Sequence, residues 1–278
     1  MGAACLRLLQ IYRRFIVRNT AWLMHGDCLE RMKEIPSGSV DMVLADPPYG
    51  TTACKWDHVI PFEPLWKEYK RLIKDRGAIV LTASQPFTSF LITSNIEMFK
   101  YCWVWDKIFG ANYMKAQYMP ILSHEDICIF SHGKVNHTGN RMMYNPQKEP
   151  RETTRKWLQN GYTKNIKNPK TDNFKTNPIC EKESDFRYPK SVINISNSDH
   201  TNRLHPTQKP VALFEYLIKT YTNEGDLVLD NCIGSGTTAI ACINTNRHFI
   251  GIEKEQKYVD IANKRIKETP IPLEKFIG

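Results

Sequence analysis

The chain has 278 residues, 41% of them hydrophobic, enough to bury one sizeable α/β core with one inserted subdomain. No apolar run approaches the roughly 20 residues of a membrane-spanning helix, so no membrane role is expected. The eight cysteines (5, 28, 54, 102, 128, 180, 232 and 242) form no Cys-x-x-Cys pair and no metal-ligand cluster with histidine, which argues against structural zinc and for a reduced, cytosol-like compartment, while a net charge of +9 suggests a polyanionic partner.

From the amino end, the first 26 residues hold no acid but do hold Arg7, Arg13, Arg14 and Arg18, a charge pattern shared with organellar transit peptides. The plainer reading is an extension over residues 1–22, because a recognisable pattern starts at Leu23-Met24-His25-Gly26-Asp27 and Met24 can itself serve as a start. Residues 23–132 alternate short β-branched runs with helical stretches. Val40 to Ala45 reads as a buried strand, Phe62 to Lys74 as a helix, Gly77 to Thr82 as a strand and Ile127 to Phe130 as a later one.

Residues 133–203 break this rhythm. Between Lys134 and Lys190 stand 13 Lys and Arg against 6 Asp and Glu, so +7 of the +9 lies in a segment rich in Asn, Lys, Thr and Pro. Such a segment is either a solvated surface or a phosphate-contacting one. Strict α/β order returns over 204–268: Pro210 opens a helix to about Tyr221, Leu227 to Leu229 is a strand, Thr237 to Asn244 a helix, Phe249 to Ile252 a strand and Gln256 to Lys267 a helix. A tail follows over 269–278. Strands alternating with helices predict a doubly wound, mostly parallel sheet.

Two strand ends carry chemistry. After Leu227-Val228-Leu229 comes Asp230-Asn231-Cys232-Ile233-Gly234-Ser235-Gly236-Thr237-Thr238, a glycine turn into a helix, and 23 residues beyond Asp230 the next strand ends in Glu253, placed to accept hydrogen bonds from ribose hydroxyls. Alone, the turn reads equally well as a tight turn with no ligand. The third glycine of a dinucleotide fingerprint is missing, as is a Gly-Lys-Ser/Thr phosphate loop, which disfavours NAD, FAD and ATP. At the other strand end stands Asp46-Pro47-Pro48-Tyr49-Gly50, where two prolines stiffen the loop and leave its carbonyls free as acceptors.

These motifs resemble those of the β-class DNA adenine-N6 methyltransferases, in the family of N4-cytosine and N6-adenine DNA methyltransferases carried by bacteria and their phages. The resemblance covers roughly residues 24–266 and includes His205-Pro206-Thr207-Gln208-Lys209-Pro210 before the helix. It implies a seven-stranded, Rossmann-like, S-adenosylmethionine-dependent methyltransferase fold, circularly permuted so that the catalytic loop precedes the cofactor turn, with 133–203 as target-recognition insert. It also implies roles. Asp46, Pro47, Pro48 and Tyr49 would be catalytic: the Asp46 carboxylate and Pro47 carbonyl draw the two N–H groups of an exocyclic amine toward tetrahedral geometry, and Tyr49 stacks on a flipped base. Thr207 and Lys209 would lie near the methionine carboxylate of the cofactor, Asp230, Gly234, Ser235 and Gly236 would wrap its methionine, Glu253 would hold its ribose and Asp27 would accept from its adenine amine. Trp105-Asp106-Lys107 and His124-Glu125 resemble segments around the flipped base, or read as an amphipathic strand with a solvated tip. Thr52 to Asp57 resembles a mobile lid, in which Trp56 reads equally as a core anchor.

The partners implied are double-stranded DNA, a homodimer and, for a restriction-modification system, a cognate restriction endonuclease; the expected location is a bacterial cytoplasm, and no metal is expected. An N4-cytosine enzyme more often has Ser at position 46, and a glutamine or RNA enzyme usually has Asn there with the cofactor turn first. A non-catalytic DNA-binding relative would be expected to lose Asp46, Tyr49 or the glycine turn.

Overall fold

The computed structural model describes residues 21–51, 57–136, 139–150, 186–197 and 208–270. The strands are β1 (Ala21–His25), β2 (Val40–Ala45), β3 (Ile73–Ala83), β4 (Phe99–Ala111), β5 (Leu122–Phe130), β6 (Glu149–Pro150), β7 (Phe186–Arg187), β8 (Val192–Asn194), β9 (Leu227–Asp230) and β10 (His248–Glu253). The α-helices are α1 (Cys28–Arg31), α2 (Phe62–Leu72), α3 (Phe87–Ser94), α4 (Val211–Tyr221), α5 (Thr237–Asn244) and α6 (Gln256–Glu268). Each expected strand and helix of the α/β halves is present, within a few residues at its ends. Helix α2 stops two residues early because Ile73 already pairs with Val40 as the first residue of β3.

The described residues fall into two compact units, one within 1–145 and 191–278 and the other within 146–190. The larger unit holds a sheet in the order β1-β10-β9-β2-β3-β5-β4-β8. Strands from β1 to β3 run parallel, β5 is antiparallel to both β3 and β4, and β8 pairs parallel with β4. Eight strands therefore replace the expected seven. The extra one, β8, has three residues, too few to show a period of two in the sequence, and lies inside the span assigned to the insert.

Side chains that alternate along the buried strands feed two cores. Val43, Ala45, Ile79 and Leu81 meet Leu65, Trp66, Tyr69 and Leu72 of α2 and Phe87 and Leu91 of α3 on one face. Met42, Leu44, Val80 and Val228 meet Leu213, Phe214, Leu217 and Tyr221 of α4 and Ala239 and Ala241 of α5 on the other. A sheet covered on both faces has near-continuous apolar strands, as β2 and β9 do. Met142 and Ile193, both inside the expected insert, are buried in the second core. The smaller unit contributes the two-residue pair β6 and β7, antiparallel, with Arg187 bridging Glu149 at 2.8 Å.

The order in which successive strands are added reverses between the parallel neighbours β9 and β2. From β9 the chain moves through α5 to β10 on one side, and from β2 it moves through α2 to β3 on the other. That switch point opens a crevice beyond the carboxyl ends of the strands, which is where open α/β sheets bind ligands. Asp230 ends β9 and Asp46 follows β2, so the two motifs read from sequence flank it. Among the described residues, no helix is long and apolar enough to cross a membrane and no group of His, Cys, Asp and Glu is suited to hold a metal ion.

Candidate active site

Asp46 emerges from the buried strand β2 into a loop that backbone chemistry pins on its far side. The Asp57 carboxylate, itself buried, accepts from Gly50 N at 2.8 Å and from Thr51 N at 2.9 Å, so the turn after Tyr49 is tied to the return of the chain. Residues 52–56, the body of the expected lid, lie outside the described residues.

Three donors converge on one oxygen of Asp46. The Tyr49 hydroxyl donates to Oδ1 at 2.8 Å, the Thr82 hydroxyl donates to the same atom, and the Lys209 ammonium lies 2.9 Å from it. Lys209 also sits 3.1 Å from Oε2 of Glu125, whose Oε1 is 2.6 Å from Lys107. The result is a chain of alternating charge, Asp46, Lys209, Glu125, Lys107, built from β2, the approach to α4, β5 and β4. The Tyr49 ring stacks on Phe87, with centroids 5.1 Å apart, and the Lys209 ammonium stands 5.5 Å from its centroid.

Electrostatics follow from burial against pairing. Burial alone would lower the Lys209 ammonium, but Asp46 and Glu125 outweigh it and raise its pKa. Burial would likewise raise the Glu125 carboxyl, and Lys209 and Lys107 outweigh that to hold it below the usual carboxylate range. Burial, with Asp46 and Glu125 nearby, pushes the Tyr49 hydroxyl well up, which keeps it a donor.

Lys209 departs from expectation. The resemblance puts it near a cofactor carboxylate, yet its ammonium is committed to Asp46 and Glu125. At 7% exposure, a charge of this kind needs anionic partners, and these two carboxylates supply them. Thr207, its expected neighbour in that role, lies outside the described residues.

The second cluster occupies the neighbouring strand ends. Asp230 is buried and turned into its own loop, accepting from Cys232 N at 2.9 Å and from the Thr238 hydroxyl. Gly234 and Gly236 take φ of 52° and 89°, left-handed conformations that glycine adopts without steric cost, and Gly236 caps α5. The Gly234 amide donates to Glu253 Oε2 at 2.9 Å, while Glu253 Oε1 accepts from Glu255 N at 2.8 Å. Ser235 is buried, its carbonyl accepting from Arg265 at 2.7 Å and its hydroxyl donating to Gln208 at 3.1 Å. Asp27 caps α1 through Leu29 N at 3.0 Å and remains exposed at the end of β1, one strand from Glu253.

Of the residues singled out from sequence, the structure gathers Asp46, Pro47, Pro48, Tyr49 and Lys209 on one side of the switch point and Asp27, Asp230, Gly234, Ser235, Gly236 and Glu253 on the other. Sequence reading missed Thr82, Phe87, Tyr69 and Arg265. Thr82 had a visible signal, a hydroxyl at the end of an otherwise apolar strand. Tyr69, whose hydroxyl donates to Asn231 Oδ1 at 2.6 Å, had none beyond its helical spacing.

Residues 40–264 match the N6/N4 family of DNA methylases. The chain belongs to this DNA methylase family. It is 26% identical over 260 residues to the Type II methyltransferase M.HpaI of Haemophilus parainfluenzae, covering 88% of this chain and 73% of that one. In fold it is similar to the M1.HpyAVI–S-adenosylmethionine complex (TM-score 0.57, 23% identity, 88% of this chain and 98% of that one). It is likewise similar to the cytosine-N4-specific PvuII DNA methyltransferase (TM-score 0.62, 17% identity, 92% and 90%). As in the family, S-adenosylmethionine is the methyl donor and DNA the substrate. The donor set suits that cofactor: carboxylates on adjoining loops, Asp27, Asp46, Asp230 and Glu253, would match its sulfonium and ammonium charges and its hydroxyl and amine protons.

Proposed function

We propose that the chain is a site-specific methyltransferase that acts on the N6 amine of an adenine flipped out of double-stranded DNA. The observation that carries this reading is Asp46, a carboxylate with all its partners among the described residues on Oδ1, beside a proline carbonyl at the switch point. An aromatic amine is a poor nucleophile because its lone pair is delocalised into the ring. Asp46 Oδ2 and the Pro47 carbonyl accept its two N–H bonds, localise the lone pair and stabilise positive charge as nitrogen attacks. The bound cofactor supplies an electrophilic methyl group on sulfur. Nitrogen would take that methyl group with S-adenosylhomocysteine as the leaving group, and the proton the amine gives up would pass by way of the Asp46 carboxylate to solvent. Extrusion of the base is required because a paired amine is out of reach, and Tyr49 is the aromatic surface on which it would stack.

Asp27 and Glu253 are assigned to the cofactor adenosine, and the turn Asp230, Gly234, Ser235 and Gly236, with Thr207, to its methionine. Adenine is favoured over cytosine because N4-cytosine enzymes more often carry Ser where this chain has Asp46. The basic insert is assigned to target recognition, a homodimer and a cognate restriction endonuclease are its further partners, and a bacterial cytoplasm its setting; the Type II name of M.HpaI supports the endonuclease. The test is to methylate unmodified DNA with the purified protein and S-adenosylmethionine, then digest it for nucleoside mass spectrometry. The expected product is N6-methyldeoxyadenosine; N4-methyldeoxycytidine without it overturns the choice of base. Sequencing the same DNA for modified positions reads the motif.

A further inference from the structure

We propose that Glu125 is a positioning residue for methyl transfer: with Lys107 behind it, Glu125 holds Lys209 against one oxygen of Asp46 and keeps the assembly free of net charge. The inference rests on Asp46 being the carboxylate that accepts the target amine.

The argument begins with what Asp46 can offer. A carboxylate oxygen has about two lone-pair directions, and Thr82, Tyr49 and Lys209 together saturate Oδ1. Among the described residues none is bonded to Oδ2, so that oxygen is left to receive a proton-bearing group of the substrate. Which oxygen faces the substrate is therefore decided by the donors behind Oδ1.

One of those three donors, the Lys209 ammonium, is itself held by Glu125. Its Oε2 lies 3.1 Å from Lys209 Nζ and 3.5 Å from the Tyr49 hydroxyl, and its Oε1 is occupied by Lys107 at 2.6 Å. Glu125 and Lys107 are each 12% exposed in their side chains, and Lys209 is 7% exposed, so water screens these charges poorly. With Glu125 present, two ammoniums face two carboxylates. Without it, Lys209 keeps only Asp46 as its ion-pair partner among the described residues and Lys107 loses its own, leaving an excess positive charge near the nitrogen on which positive charge develops. Such a charge opposes the transition state more than the bound substrate, so its effect belongs in kcat.

The experiment compares wild type, E125Q and K107M/E125Q in the full-length protein, measuring kcat, the DNA KM and the equilibrium affinity for S-adenosylmethionine at several pH values. In E125Q, kcat is expected to fall on the order of a hundredfold, the range of losing one preorganised electrostatic group, with KM and cofactor affinity within about threefold of wild type by the uniform-binding criterion. Lys209 then keeps Asp46 as its one anionic partner among the described residues, and burial lowers its pKa, so the kcat–pH profile of E125Q gains an alkaline rise absent from wild type. The double variant removes one charge of each sign and is expected to recover about tenfold of the loss, by the same electrostatic scale.

Wild-type kcat in E125Q, or a parallel fall in kcat and cofactor affinity with a flat pH profile and no recovery in the double variant, overturns the proposal and leaves Glu125 as packing. Should E125Q fail to fold, E125D keeps the charge but shortens the reach; the same split of kcat from affinity is expected, and unchanged kcat overturns the proposal. D46N, assayed alongside, separates this inference from the reading beneath it. An active D46N removes the premise, whereas an inactive D46N with a wild-type E125Q removes only the role of Glu125.

Discussion

Asp230 shows how one residue can be conspicuous in sequence and still carry contacts that the sequence does not display. It was legible as an acid at a strand end before a glycine turn, and the resemblance assigned it to the methionine moiety. Its carboxyl is buried and bonded to Cys232 N and Thr238, so it also shapes the turn. Burial comes first among the causes that push it up to about 7, with the charges of Asp46 and Glu253 adding to burial and the two hydrogen bonds opposing it. The sign for stability follows: a carboxyl raised in the folded state from 3.8 favours folding fully below that value, and the contribution is lost as pH rises toward 7. A cationic ligand has the opposite preference, for the ionised form. Affinity for S-adenosylmethionine is therefore expected to rise by up to about tenfold per pH unit between pH 5.5 and 7 and to level off above. Calorimetric titration across that range checks this, and D230N should flatten the curve; an equally steep curve in D230N would assign the proton to another group, with Glu253, also raised by burial, next in line.

At the scale of elements, the strands and helices were legible where periodicity is long and buried on both faces, as in β2, β9, α4 and α5. What escaped were features set by contacts distant in sequence. The helix boundary at Leu72 depends on Val40 pairing with Ile73, and β8 exists because Val104 offers a partner for Val192. Thr82 escaped for the same reason, and Lys107 and Glu125, set near the flipped base by resemblance alone, gain their link to Lys209 and Asp46 only when the sheet order brings three strands together. The turn into α5 was readable from its glycines, and the structure adds why they are needed. Gly236 has φ of 89°, and a Cβ there would meet Ala262 Cβ at 3.0 Å and its Cα at 3.2 Å. Gly236→Ala is expected to cost about 1–2 kcal/mol from the left-handed backbone alone, and to weaken cofactor binding more than it lowers thermal stability. Thermal unfolding with and without S-adenosylmethionine measures both, and an unchanged ligand-induced shift would show that the turn does not shape the cofactor site.

Across the whole molecule, charge is divided between regions. The carboxylates Asp27, Asp46, Asp230 and Glu253 stand at the strand ends of the larger unit, whereas +7 of the net +9 lies between Lys134 and Lys190. An enzyme that delivers a base from a polyanion to a carboxylate-lined crevice needs such a division, since phosphates would be repelled from the crevice itself. Family and cofactor were legible because glycine turns and the Asp-Pro-Pro-Tyr loop are local in sequence. The basic segment is proposed as the partner surface from composition alone, because phosphate contact asks for charge and imposes no periodicity. Composition nevertheless yields a quantitative expectation. If Lys164, Lys167, Lys170 and Lys175 contact phosphates, replacing all four by Gln removes up to four counterion-releasing contacts, and the slope of log affinity against log salt should become shallower by up to about 3.6, at roughly 0.9 per contact. Methyl transfer at saturating DNA and low salt should change little, because phosphate contacts position a duplex without touching its base amines. Fluorescence anisotropy with a labelled duplex at several salt concentrations gives the slope directly; a slope equal to that of wild type would move the DNA surface away from the basic segment.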